Sequence, residues 1–156
     1  MVALALEANP KLTWRDVQHL VVRTAHPEGN LKANDWASNG VGRKFSHAFG
    51  FGLMDAGAMT RLAKNWTQVP DQAICNTKKG HLPTPVNIPA QTEETIPLDA
   101  AACNAIKFLE HIHLHIDLKT TSKRGSLSVM LRSPSKTVSI LLAPRPFDDF
   151  RFVLLQ

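Results

Sequence analysis

The chain has 156 residues, 44% hydrophobic and 20% charged, which suits one ordinary globular domain or two small ones and excludes a disordered chain. No apolar run approaches the ~18 residues of a membrane span, and residues 1–7 are too short and too soon acidic for a secretory leader, so an exported parent would carry its leader outside this chain. The net charge of +5 permits nucleic-acid or anionic-membrane binding without arguing for it, because Lys and Arg are scattered; two cysteines exclude a four-cysteine zinc site but allow one disulfide.

The first ~66 residues read as helical with a glycine-rich interlude. Val2–Ala8 is apolar and rich in helix formers, as the tail of an element that begins upstream would be. Thr13 followed by Asp16 is a capping-box-like start. Trp14, Val17, Leu20, Val21 and Thr24 then recur at helical spacing on an expected buried stripe, and Pro27 with Gly29 ends the helix. Residues 33–52 carry Asn39-Gly40, Gly42, Gly50 and Gly52, a density that marks tight turns or close backbone approach, with a short buried strand expected over 45–51. Asp55 is the expected N-cap of a further helix that buries Ala56, Met59, Leu62, Ala63 and Trp66.

From Val69 the pattern changes. Pro70, Pro83, Pro85, Pro89 and Pro97 punctuate a stretch without helical period, as a linker into β structure does. Ile112, Leu114, Ile116 and Leu118 then alternate with His111, His113, His115 and Asp117. Lys123-Arg124-Gly125 turns the chain, Leu127, Val129 and Leu131 alternate, Ser133-Pro134-Ser135 turns it again, and Val138, Ile140 and Leu142 make a third run. Three strands with short connections predict an antiparallel meander with one face buried.

Little of this carries chemistry. His111, His113 and His115 share a strand face, as metal-binding imidazoles must, but nothing is placed to complete a site, so they read as a solvated face. His19, His47, Asp16, Asp35 and Asp55 lack the glycine-flanked serine that a Ser-His-Asp triad needs. Arg132, Arg145 and Arg151 read as solvated surface. No catalytic, cofactor-binding or metal-binding residue is assigned. Asn65-Trp66-Thr67 is a glycosylation sequon at a helix end. Cys75 and Cys103 form a disulfide worth about 3 kcal/mol in an exported chain, or two thiols in a cytosolic one. Nucleic acid is set aside as a partner, because the chain has no tyrosine and no aromatics interleaved with its basic residues.

The order of these segments resembles the proprotein convertases, the furin- and kexin-like branch of the subtilisin-like serine proteases. The residues that carry the resemblance are Leu12-Thr-Trp-Arg-Asp-Val-Gln-His-Leu-Val-Val22, Asn34-Asp-Trp-Ala-Ser-Asn-Gly-Val-Gly-Arg-Lys44 and His47-Ala-Phe-Gly-Phe-Gly-Leu-Met-Asp-Ala-Gly-Ala-Met59. Leu109-Glu110-His111, Arg124-Gly125-Ser126-Leu127, Ser133-Pro134 and Leu141-Leu142-Ala-Pro-Arg145 resemble the P domain that follows the catalytic domain in that family. The resemblance implies that residues 1–68 are the C-terminal end of an α/β subtilisin-like domain, mainly helical here, and that 69–156 open an all-β, jelly-roll-like P domain. It implies a calcium-dependent endoprotease of the secretory pathway (Golgi, cell surface or secreted) whose partners are precursor proteins cleaved after paired basic residues. It favours glycosylation at Asn65 and the Cys75–Cys103 disulfide. The family's catalytic Asp, His, oxyanion Asn and nucleophilic Ser, and its calcium ligands, correspond to positions upstream of Met1. The chain is therefore expected to be inactive alone and, with its helical stripes short of the sheet they pack on, to be poorly folded in its first half and to expose a large apolar patch. The stretch 150–156 departs from the family. The rival expectation is a non-catalytic, secreted P-domain-like module that binds a convertase or its substrates through an open strand edge.

Overall fold

A computed structural model describes residues 1–27, 31–32, 35–77, 86–118 and 123–150. Expectations at Gly29, Ala33, Asn34, Pro83, Pro85 and residues 151–156, Arg151 among them, lie outside the described residues. The chain divides into two compact units, Met1–Val69 with the chain from Ile116 onward, and Pro70–His115.

In the first unit, α1 (Val2–Ala8), α2 (Trp14–Thr24) and α3 (Ala56–Lys64) form a small packed group in which α3 meets both other helices. The starts of α2 and α3 are written locally. Thr13 and Asp16 make a reciprocal capping box at α2, and the Asp55 carboxylate accepts from Ala58 N–H at 2.8 Å at the start of α3. The core is Ala5, Leu12, Leu20, Met59 and Ala63, with Ala8, Val17, Val21, Met54, Leu62 and Trp66 packed around it. Alanines on α1 and α3 let those two helices approach closely.

Four of the five expected stripe positions of α2 face the core, Leu20 and Thr24 buried and Val17 and Val21 packed against it; the exception is Trp14. Trp14 is 59% exposed, whereas Asp16, Leu20 and Thr24, spaced four apart, are the buried positions. Asp16 is tolerated inside because Trp66 and Val69, on the chain leaving α3, donate to its carboxylate. Met1, Val2, Leu4 and Leu6 of the N-terminal helical segment stay exposed, an apolar surface with few neighbours to cover it.

The glycine-rich interlude is built from turns. Strands β1 (Ala37–Ser38) and β2 (Lys44–Phe45) pair antiparallel. The expected buried strand over 45–51 is instead a tight loop closed by a Ser46–Gly50 bridge, with His26 bridging Leu53. Gly50 (φ 57°) and Gly52 (φ 113°) supply the reversal, and a Cβ on Gly52 would collide with the His26 carbonyl. Only the glycines permit this loop.

Of the expected meander, two strands pair: β3 (Val129–Arg132) and β4 (Val138–Leu142), antiparallel with an irregularity at Val129/Met130. Val129 and Leu131 are half-buried and Met130 and Arg132 exposed, as the alternation requires, but Val138, Ile140 and Leu141 of β4 are all exposed. Residues 112–118 form no strand. Leu114, Ile116 and Leu118 are still more covered than His113, His115 and Asp117, so the two-residue period persists without a partner ladder. Alternation specifies an extended chain with one shielded face; it does not supply the neighbouring edge that makes a sheet. The Lys123-Arg124-Gly125 turn is a 3-10 helix over Arg124–Ser126.

The second unit is described by a 3-10 turn at Ala101–Cys103 and a disulfide between Cys75 and Cys103, with Cα atoms 5.7 Å apart. None of its described residues is buried.

Candidate functional site

The carboxylates that sequence reasoning weighed as chemical groups are committed to the fold. Asp16 is fully buried, and four donors converge on it: Thr13 N–H and Thr13 Oγ1, each at 2.7 Å, on one oxygen, and Trp66 Nε1 and Val69 N–H, each at 2.8 Å, on the other. Burial alone would raise its pKa. The hydrogen bonds from Val69, Thr13 and Trp66 outweigh that and lower it from 3.8 to about 2. The Arg23 guanidinium lies 5.1 Å from the Trp66 ring centroid, and the His19 ring stacks against it at 6.4 Å. Asp16 therefore ties the start of α2 to the chain leaving α3.

Asp35 accepts from Ser46 Oγ and from His47 N–H, both at 2.7 Å, and the Ser46 bond in particular holds its carboxyl below the ordinary value. Here an aspartate, a serine and a histidine meet, but it is the histidine backbone that contacts the acid, so the cluster is a loop brace and not a proton relay. Asp55 lies 3.4 Å from His26 Nε2 while capping α3; the Ala58 N–H is the main reason its pKa is lowered.

Asn65, at the C-cap of α3, and Thr67 are both exposed, with Trp66 half-buried between them. Among the described residues no three His, Cys, Asp or Glu side chains lie close enough to share a metal. Calcium asks for six or more oxygen ligands, so these residues do not fit it and no calcium chemistry is assigned to them. No helix is long and apolar enough to cross a membrane among the described residues.

One cluster was not singled out in the sequence. Asp148 accepts Arg124 Nε on both oxygens, at 2.6 and 2.7 Å, and Arg145 Nε at 3.0 Å; Arg124, with Arg145 behind it, holds the carboxyl below its usual value. The Arg124 guanidinium also lies over Phe150, 5.1 Å from the ring centroid. Together with Pro146 and a 99% exposed Phe147 these residues line a shallow cleft of about 370 Å³. Arg145, read as solvated surface, is thus half of a clamp. The signal available in the sequence was four residues long: Arg145 and Asp148 at i, i+3, with no hint that Arg124 joins them.

No family model matches the chain. It is 46% identical over 97% of its length to furin-like protease 1 (isoform 1-CRR) of Drosophila melanogaster. It is 47% identical over 95% to furin of Homo sapiens, and 45% identical over 95% to proprotein convertase subtilisin/kexin type 4 of Rattus norvegicus. The chain spans 13%, 18% and 22% of the length of these three relatives, respectively. A serine protease of Aeromonas sobria, solved in complex with its chaperone, shares the fold at a TM-score of 0.52 and 22% identity, over 92% of this chain and 27% of that one.

Proposed function

We propose that this chain, a homologue of a segment of the furin-like proprotein convertases, is part of a calcium-dependent serine endoprotease that processes precursor proteins at paired basic residues in the secretory pathway. The observation that carries the reading is the 44–47% identity to furin-like proteases and convertases over 95–97% of the chain. In this reading residues 1–68 are the C-terminal end of the catalytic domain and 69–156 open a jelly-roll-like P domain. The role of the first part is structural: its capped helices and the Asp16 node brace the domain that bears the catalytic groups. The uncovered apolar side chains of Met1, Val2, Leu4 and Leu6 support it, since they are what a helix offers to a larger domain. The Cys75–Cys103 disulfide suits an oxidising compartment, and the exposed sequon at Asn65 is a glycosylation site there. The nucleophile, its acid and base, and the calcium ligands come from chain upstream of Met1.

The test is to sequence the transcript across the codon for Met1. A reading frame that continues upstream into a Gly-Thr-Ser segment and on to the family's His and Asp is the expected result. A stop codon immediately before Met1 would overturn it and favour a non-catalytic module that binds a convertase or its substrates. Alongside, the purified chain with calcium should leave an Arg-x-Lys-Arg peptide uncut.

A further inference from the structure

We infer that Lys123-Arg124 is a latent proteolytic processing site, withheld from endoproteases that read paired basic residues by the clamp of Asp148 on Arg124. The inference stands whether or not the chain belongs to an active protease, because it treats the chain as a substrate.

The two cations are presented differently. The Lys123 side chain is largely exposed and pairs with the similarly exposed Asp149. Arg124 Nε is shared between both oxygens of Asp148 and the guanidinium is covered on one face by Phe150, so the side chain must break these contacts before it can enter a specificity pocket. The scissile bond is occupied as well. Arg124 C=O accepts from Leu127 N–H at 3.1 Å, and Gly125 N–H donates to Asp148 C=O at 3.0 Å. Arg124 N–H donates to Phe150 C=O at 2.8 Å, and Arg145 N–H to Gly125 C=O at 2.7 Å. A protease takes its substrate as an extended strand bonded through these same backbone groups. Here they are folded into the 3-10 turn over Arg124–Ser126, so close beneath Arg145 and Asp148 that a Cβ on Gly125 would overlap their carbonyl oxygens. The other adjacent pair among the described residues, Arg43-Lys44, carries no such clamp: Arg43 reaches only the Val22 carbonyl, at 3.3 Å, in its side-chain hydrogen bonding.

Opening the clamp leaves a Lys-Arg-Gly-Ser sequence free to extend. Cleavage then adds one water across the Arg124–Gly125 amide, leaving a carboxylate on Arg124 and an ammonium on Gly125. Separation of Gly125 from Arg124 would detach the β3–β4 hairpin from everything before it except through non-covalent contacts, so the clamp decides whether the hairpin stays covalently attached.

The experiment is limited trypsin digestion of the intact chain, followed by mass spectrometry, for the native protein, Asp148→Asn and Arg124→Lys. Lys at position 124 can still be cut by trypsin but lacks the guanidinium that makes these contacts. Cleavage at Arg124–Gly125 is read against two internal references, Lys64–Asn65 in the helical group and Lys107–Phe108, whose Phe108 is 90% exposed. The expected result is slow cleavage at 124–125 in the native chain. Both variants should accelerate it about tenfold or more, the factor by which losing a charge-assisted hydrogen bond raises the open population, while the references keep their rates. Native cleavage at 124–125 as fast as at 107–108 would overturn the inference. So would unchanged rates in both variants, or an equal acceleration at all three bonds, which reports general unfolding. A purified endoprotease specific for paired basic residues should reproduce the variant-dependent cut.

Discussion

The helical group and the Pro70–His115 unit lie next to each other in sequence and are held by different physics. In the helices, five apolar residues are buried and a carboxylate with four donors joins elements 50 positions apart, so burial and hydrogen bonding do the work. In Pro70–His115 no described residue is buried, and a covalent bond spanning 28 positions takes the place of a core. A chain too short to bury a large interior can stay ordered where one good polar node closes a helix pair. Where the sequence offers neither helical period nor a partner strand, it needs a cross-link.

Four measurements break or sharpen that comparison. Leu20→Ala removes a fully buried side chain from the small helical core, and should cost about 2–5 kcal/mol, read as lost helical signal at low denaturant. Cys75→Ser should cost about 3 kcal/mol in the chain-entropy model, seen as faster proteolysis within 70–115 while the helices keep their signal. If the helical signal falls with it, the two regions are not independently held.

Acid tests the polar node. The Asp16 pKa is lower in the folded chain than its ordinary 3.8, so its contribution is fully present above about 3.8 and is lost as the pH falls toward 2. The shift corresponds to about 2 kcal/mol. Asp16→Asn should flatten that part of the stability-against-pH curve and lower stability at neutral pH; a curve identical to the native one would remove Asp16 from the account. The smallest effect is Trp14→Ser, which should change stability by no more than about 0.5 kcal/mol because the ring is exposed. A large loss there would restore Trp14 to the stripe that the spacing predicts.

Some of the molecule is legible one turn at a time. The capping box at Thr13 and Asp16, the cap at Asp55, the turn between β3 and β4 and the close approaches at Gly40 and Gly52 all use residues that advertise a local backbone need. The Arg124–Asp148 clamp is not legible in that way, because its partners are 24 positions apart and each is an ordinary charged residue in its own neighbourhood.

The sequence by itself determined where α2 and α3 start and where several of the turns fall, since those choices rest on hydrogen bonds and steric limits among residues a few positions apart. Only the tertiary structure decided that Asp16 is buried while Trp14 is not, and that residues 113–118 keep an alternating exposure without joining a sheet. The reason is that burial and strand pairing depend on what crosses a segment in space. A buried carboxylate is tolerable only where Trp66 and Val69 arrive to satisfy it, and a strand exists only where another edge comes within hydrogen-bonding distance.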